Sequence, residues 1–132
     1  MSMDTEDILD KLFVDENAVN KELIFDILAD YIQLTNNGSI VFLGNFNGLT
    51  NEKKIVLIML ARKVLALKGI TTEFLSPSEV QNIVGLPKGT VNPTMTVLAS
   101  NGYLRNDGGK YHVPNYAIIR IRDFIKRGGK NG

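Results

Sequence analysis

Lys88, Thr90, Asn92 and Thr96 lie close together in the chain, and each carries a head group suited to recognition rather than to making or breaking bonds. An asparagine carboxamide donates and accepts in one plane and can pair in bidentate fashion with the edge of an adenine. A threonine can offer a hydroxyl to a base or a methyl group to thymine. A lysine at the start of a helix can meet a phosphate, and the free backbone amides there form a second anion site. Arg105 and Lys110, a little further on, supply two more cations.

Residues suited to other chemistry are sparse. There is no cysteine, which excludes a disulfide framework, thiol catalysis and zinc-thiolate sites. His112 is the single histidine, and no cluster has metal-ligand spacing. Gly108-Gly109 and Gly128-Gly129 fit a turn and a tail. No glycine-rich loop leads from a strand into a helix with a lysine, so no nucleotide cradle is indicated. Asp4, Asp7 and Asp10 read as one solvated acidic face. The expectation is a protein without catalytic residues, metal or cofactor, and not an enzyme.

Net charge is only +1, but it is unevenly distributed. Residues 1–30 carry nine acids against two bases, a net −7, and residues 31–132 carry thirteen bases against five acids, a net +8. An acidic head on a basic body suits a polyanionic partner met by the body. The longest apolar run is Ile55 to Ala61, far short of the roughly 20 residues a membrane span needs. The acidic N-terminus has no apolar signal core. A cytoplasmic location with no membrane contact is expected, and the lack of cysteine suits a reducing compartment.

The elements that would position these residues follow from periodicity and punctuation. Apolar residues at helical spacing predict helices over 4–14 (Ile8, Leu9, Leu12, Phe13) and 19–35 (Ile24, Ile27, Leu28, Tyr31), with Asn36-Asn37-Gly38 as the stop. Ser39 to Leu43 is β-branched and bounded by turn residues, which predicts a strand, with a loop over 44–48. Thr50 caps a helix over 49–68 whose centre is apolar nearly all round, the mark of a helix enclosed by its neighbours. Thr71 to Leu75 can form a strand. Ser76, Pro77 and Glu79 have the order of a capping box with proline at the first helical position, which predicts a helix over 77–84. A tight turn at 86–89 leads to a helix over 89–101. Tyr103 to Val113 reads as a hairpin turning at Asn106-Asp107-Gly108-Gly109. Asn115 caps a last helix, from Tyr116 to about 127.

Two short helices joined by a small turn and followed by a hairpin have the order of a winged helix-turn-helix. The stretch LSPSEVQNIVGLPKGTVNPTMTVLASNGYLRNDGGKYHV resembles winged helix-turn-helix regulators of bacteria and archaea, notably at Thr90-Val91, Leu98 and Gly102-Tyr103-Leu104. The resemblance implies a mainly α fold with a small β-hairpin wing, extended at its N-terminus. It implies a recognition helix at 89–101 and a wing at 103–113. Val91, Met95 and Leu98 fall at i, i+4 and i+7 and so face inward, which turns Thr90, Asn92, Pro93, Thr96 and Ser100 outward. In the resemblance that outward face enters the major groove of double-stranded DNA.

The chain departs from the pattern at Pro93, where many such regulators have arginine, and no charge follows Lys88 in the helix. Pro93 suits only a first helical turn, so a start at 89–90 or a kink is expected. The organisation read from the sequence is an N-terminal helical extension over 1–48, the winged module over 49–114, and a C-terminal helix with a basic tail over 115–132. DNA binding in a regulator or DNA-associated accessory factor is the leading expectation, with a protein-interaction or assembly module as the alternative. Two amphipathic regions exceed what the winged core needs: Ile8, Leu12, Phe13, Ile24, Ile27 and Leu28 near the N-terminus, and Ile118, Ile121 and Ile125 in the last helix. They predict a homodimer through one of these seams, with a helical seam that includes the N-terminal segment favoured.

Overall fold

A computed structural model of the chain describes residues 8–13 and 19–127. Helix α2 (Asn51–Leu67) is its axis. Thr50 caps it as expected, the side-chain oxygen accepting from the Lys53 backbone N–H at 3.3 Å. Ile55 through Ala61 are all buried completely, because neighbours close on every side: α1 (Lys21–Leu28), α3 (Pro77–Val84), α4 (Lys88–Ser100) and α5 (Ile118–Lys126), together with strands β1 (Ile32–Leu34) and β4 (Lys110–His112). One continuous core results, running from Leu23 on α1 to Ile125 on α5. Among the described residues no helix is long and apolar enough to cross a membrane.

The N-terminal half differs from expectation. The helix expected over 19–35 ends at Leu28, and Ile32–Leu34 instead forms β1, paired antiparallel with β2 (Ile40–Phe42). The Asn36-Asn37-Gly38 stretch turns a hairpin rather than stopping a helix. The Thr35 backbone N–H donates to Ser39 O, the Gly38 N–H to Thr35 O, and Gly38 takes a φ of 91°. A helix stop and a hairpin turn make the same demand for a left-handed residue, and the pairing of β1 with β2 decides between them. Residues 44–48 form a 3-10 turn that buries Phe46. Of the helix expected over 4–14, residues 4–7 and 14 lie outside the described residues. Ile8–Leu12 is a 3-10 turn with no buried side chain.

The seams expected for a homodimer are also partly used within the chain. Ile24, Ile27 and Leu28 on α1 and Ile118, Ile121 and Ile125 on α5 are buried, and α1 packs against α5. These two stripes satisfy each other, which leaves Ile8, Leu12 and Phe13 as the exposed part of the set.

From residue 75 onward the expected elements appear in order. Ser76 and Glu79 form a reciprocal capping box, with Pro77 opening α3 and Gly85 closing it at a φ of 78°. Helix α4 starts at Lys88, slightly before the expected start, so Pro93 lies inside it beyond the first turn. Its ring has no N–H to return to the carbonyl four residues earlier, at Gly89. Strands β3 (Arg105–Asp107) and β4 pair antiparallel around Gly108 and Gly109, whose φ values of 67° and 97° are those a tight hairpin requires. The strand expected over 71–75 is reduced to one bridge, Leu75 with Tyr111, in which each backbone N–H donates to the other's carbonyl. Asn115 opens a 3-10 turn to Ala117 before α5, and Pro114 rather than Asn115 occupies the cap position.

Two lysines on α2 are only 8 % and 6 % exposed, Lys53 and Lys63. Lys63 Nζ donates to Val113 O at 2.8 Å and to Glu73 Oε1 at 3.2 Å, tying the exit of the hairpin to α2. Lys53 Nζ reaches Ile125 O at 3.4 Å and Arg127 O at 3.5 Å at the end of α5, where a cation also meets the negative end of the helix dipole. Lys63→Met keeps the volume and removes the donor, stranding a buried carbonyl and a half-buried carboxylate, and is expected to cost about 1–3 kcal/mol. Lys53→Met, with longer bonds, costs less, about 1 kcal/mol. Urea unfolding of both variants checks the order; equal losses, or a gain from Lys63→Met, contradict it.

Candidate nucleic-acid interface

Helix α4 has two faces. Val91, Met95 and Leu98 are buried against α2 and α3, so Lys88, Asn92, Pro93, Thr96, Val97 and Ser100 are exposed, with Thr90 half-buried. The inward stripe fixes the rotation of the helix, and the outward residues follow from it without choice. Gly102, at a φ of 87°, ends the helix, and the Tyr103 N–H donates to Leu98 O at 3.0 Å. Leu104, buried in the core, then leads into the hairpin.

Of the residues expected to contact a nucleic acid, Lys88, Asn92, Thr96, Arg105 and Lys110 are exposed. Lys88 stands at the first position of α4, whose cap residue, Pro87, makes no side-chain bond to the helix. The first-turn amides therefore lack a side-chain partner there and add positive character beside the lysine. Thr96 Oγ1 donates to Asn92 O at 3.1 Å, and Thr94 Oγ1 to Thr90 O. These bonds commit the hydroxyl protons to the helix backbone and leave the oxygen of the exposed Thr96 able to accept. Lys110 is shared with Glu79 across 3.7 Å, a surface pair that a stronger anion can displace. Arg105 and Lys110 lie on opposite strands of the hairpin, and Asn106 Oδ1 accepts from the Gly109 N–H at 2.9 Å, which stiffens the tip.

The sequence reading missed three features here. Val97 joins the outward face of α4 at 44 % exposure, a position that periodicity alone places at the edge of the stripe. Glu79 sits close enough to Lys110 to draw it toward the base of the hairpin. Its carboxyl is held below the ordinary carboxylate range, chiefly by its bond from the Ser76 backbone N–H. Behind the hairpin lies a small polar cleft of about 210 Å³ lined by Lys63, Glu73, Arg105 and His112 among others. Among the described residues no group of three or more acidic, histidine or cysteine side chains could hold a metal ion.

Comparison with protein-family models, with curated proteins and with solved structures finds no match for this chain.

His112 gives this region a pH dependence. Its ring stacks at a tilt on Phe74, 4.6 Å between centroids. Nδ1 lies 3.4 Å from Asp107 Oδ2 without hydrogen-bond geometry. Burial pushes its pKa below the ordinary 6.5, and Lys63 and Arg105 push the same way, against Glu73 and Asp107. The folded state therefore disfavours the protonated ring. The unfolded chain binds the proton first as pH falls below about 6.5, so stability drops from there down to the folded-state pKa. Thermal unfolding should show a midpoint falling between about pH 7 and pH 5, and a smaller fall in His112→Gln. This is the chain's single imidazole, so an identical fall in the variant contradicts the assignment.

Proposed function

We propose that this chain is a winged helix-turn-helix protein that binds double-stranded DNA, as a transcriptional regulator or DNA-associated accessory factor, and that it does so as a homodimer. The observation that carries the reading is the two-faced helix α4. It is held by its buried Val91-Met95-Leu98 stripe, follows a short capped helix and a tight turn, and precedes a glycine-turned hairpin braced by the Leu75–Tyr111 bridge. In that arrangement Asn92 and Thr96 would address base edges, while Lys88 and the first-turn amides would address a phosphate. Arg105 and Lys110 would flank the duplex from the wing. The net +8 of residues 31–132 supports a polyanionic partner.

A second reading, a winged module that docks on another protein, is favoured by one feature: Pro93 and Val97 are exposed on a helix whose only charged residue is Lys88. A titration with duplex DNA at several salt concentrations separates the two. With about two to four cationic contacts per protomer, a dimer should show a log–log slope of about −4 to −7, since each neutralised phosphate contributes about −0.9. Lys88→Ala should weaken binding to all sequences alike and flatten the slope by about one per protomer. Asn92→Ala should cost about 1–3 kcal/mol on a preferred site and little elsewhere. Both side chains are exposed, so neither change should alter the unfolding midpoint. Negligible duplex binding at about 50 mM salt, or binding untouched by both substitutions, overturns the DNA reading in favour of protein docking.

A further inference from the structure

Two apolar features are left uncovered on the same chain. One is a groove of about 740 Å³ between α1, β1 and the last turns of α2, floored by Ile24, Leu28 and Ile32 and edged by Phe25 and Leu67. Phe25 and Leu67 are exposed. Lys21 and Lys68 also line it, and neither forms an ion pair among the described residues. The other is the turn ahead of α1, where Ile8, Leu12 and Phe13 are 70 %, 77 % and 78 % exposed. This apolar stripe belongs to an acidic stretch: Asp4, Glu6, Asp7 and Asp10 surround it in sequence, against Lys11 alone.

We infer that the groove receives the Ile8–Phe13 segment of a second copy of this chain, which accepts the first copy's segment in return. Both surfaces are apolar, and the segment belongs to a stretch that is acidic in sequence while the groove is edged by two lysines. Contiguous apolar surface of this kind on a soluble chain marks an interaction site. Each chain carries one donor segment and one acceptor groove, so a two-fold exchange covers both at once and closes without leaving an open end to propagate. Within a single chain both stay uncovered, although only residues 14–20 separate Phe13 from the start of α1. Ile27 on α1 and Ile118, Ile121 and Ile125 on α5 cannot serve instead, because they are consumed in the core and do not line the groove. The exchange rests on the homodimer proposed above, and it does not require that α4 read DNA.

Light scattering on the full chain at high micromolar concentration is expected to give twice the 14.6 kDa chain mass. Replacing Leu12 and Phe13 together by Glu should raise the dimer dissociation constant by about a hundredfold. Leu67→Glu, on the groove side, should also weaken it strongly. Lys21→Glu with Lys68→Glu, which keeps every apolar side chain, should weaken it about tenfold. All these positions are exposed, and circular dichroism should show unchanged helix content. With no native cysteine, a Phe13→Cys chain mixed with a Leu67→Cys chain should join through a short bismaleimide into a mixed dimer. A monomeric wild-type chain, a dimer that survives both the segment and the groove substitutions, or no mixed dimer from the two single-cysteine chains would each overturn the exchange.

Discussion

The complete enclosure of the central stretch of α2, Ile55 to Ala61, is the constraint on which the rest of the structure depends. A helix apolar on every face cannot stand at a surface, because each exposed aliphatic side chain forgoes about 1.5–3 kcal/mol of burial. Every other helix of the described fold, except the short turn at its N-terminal edge, therefore contributes a stripe to covering α2 or to covering a helix that does so. Two of the three lysines of α2, Lys53 and Lys63, show how far the enclosure extends. Their stems run through the core, and their ammonium groups emerge at backbone carbonyls, Val113 for Lys63 and Ile125 and Arg127 for Lys53. Each thereby anchors an element whose own sequence provides little hold: the exit of a short hairpin, and the end of a two-turn helix.

The proposed function is built on the far side of that enclosure. Helix α4 presents α2 with three buried residues and presents solvent with a face that carries polar side chains, Pro93, Val97 and a single positive charge. A face of this kind has little affinity of its own. It suits a role in which neighbouring cations supply attraction and the helix supplies discrimination, the division of labour between phosphate and base contacts in DNA recognition. The Lys110–Glu79 pair fits that scheme. It holds a hairpin cation close to α3, and its partner carboxylate depends on the same capping box that starts α3.

Much of the candidate site was legible in the sequence because it is written in local chemistry. The capping box at Ser76 and Glu79, the 91-95-98 spacing and the Gly108-Gly109 turn each act over a few residues, and each appears where expected. What was not legible depends on partners far along the chain. Ile32 continues the helical spacing of Ile24 and Leu28, so nothing local separates it from α1. Its pairing with Phe42 does. Lys63 and Lys53 look like ordinary surface lysines until carbonyls 50 and 72 residues away are brought to them. The mutual burial of the α1 and α5 stripes likewise joins opposite ends of the chain, and so two seams that each look available for a partner are already occupied.

The most direct measurement is an amide proton–nitrogen correlation spectrum of the labelled chain, recorded while a short duplex DNA is added at low salt. The account places the interface on the first turns of α4 and on the hairpin. Amides from Lys88 to Val97, Pro93 apart, and from Arg105 to Lys110 should shift, while those of α1, β1 and β2 stay in place. Shifts confined to the groove beside α1, or no shifts at all at duplex concentrations well above that of the protein, would contradict it.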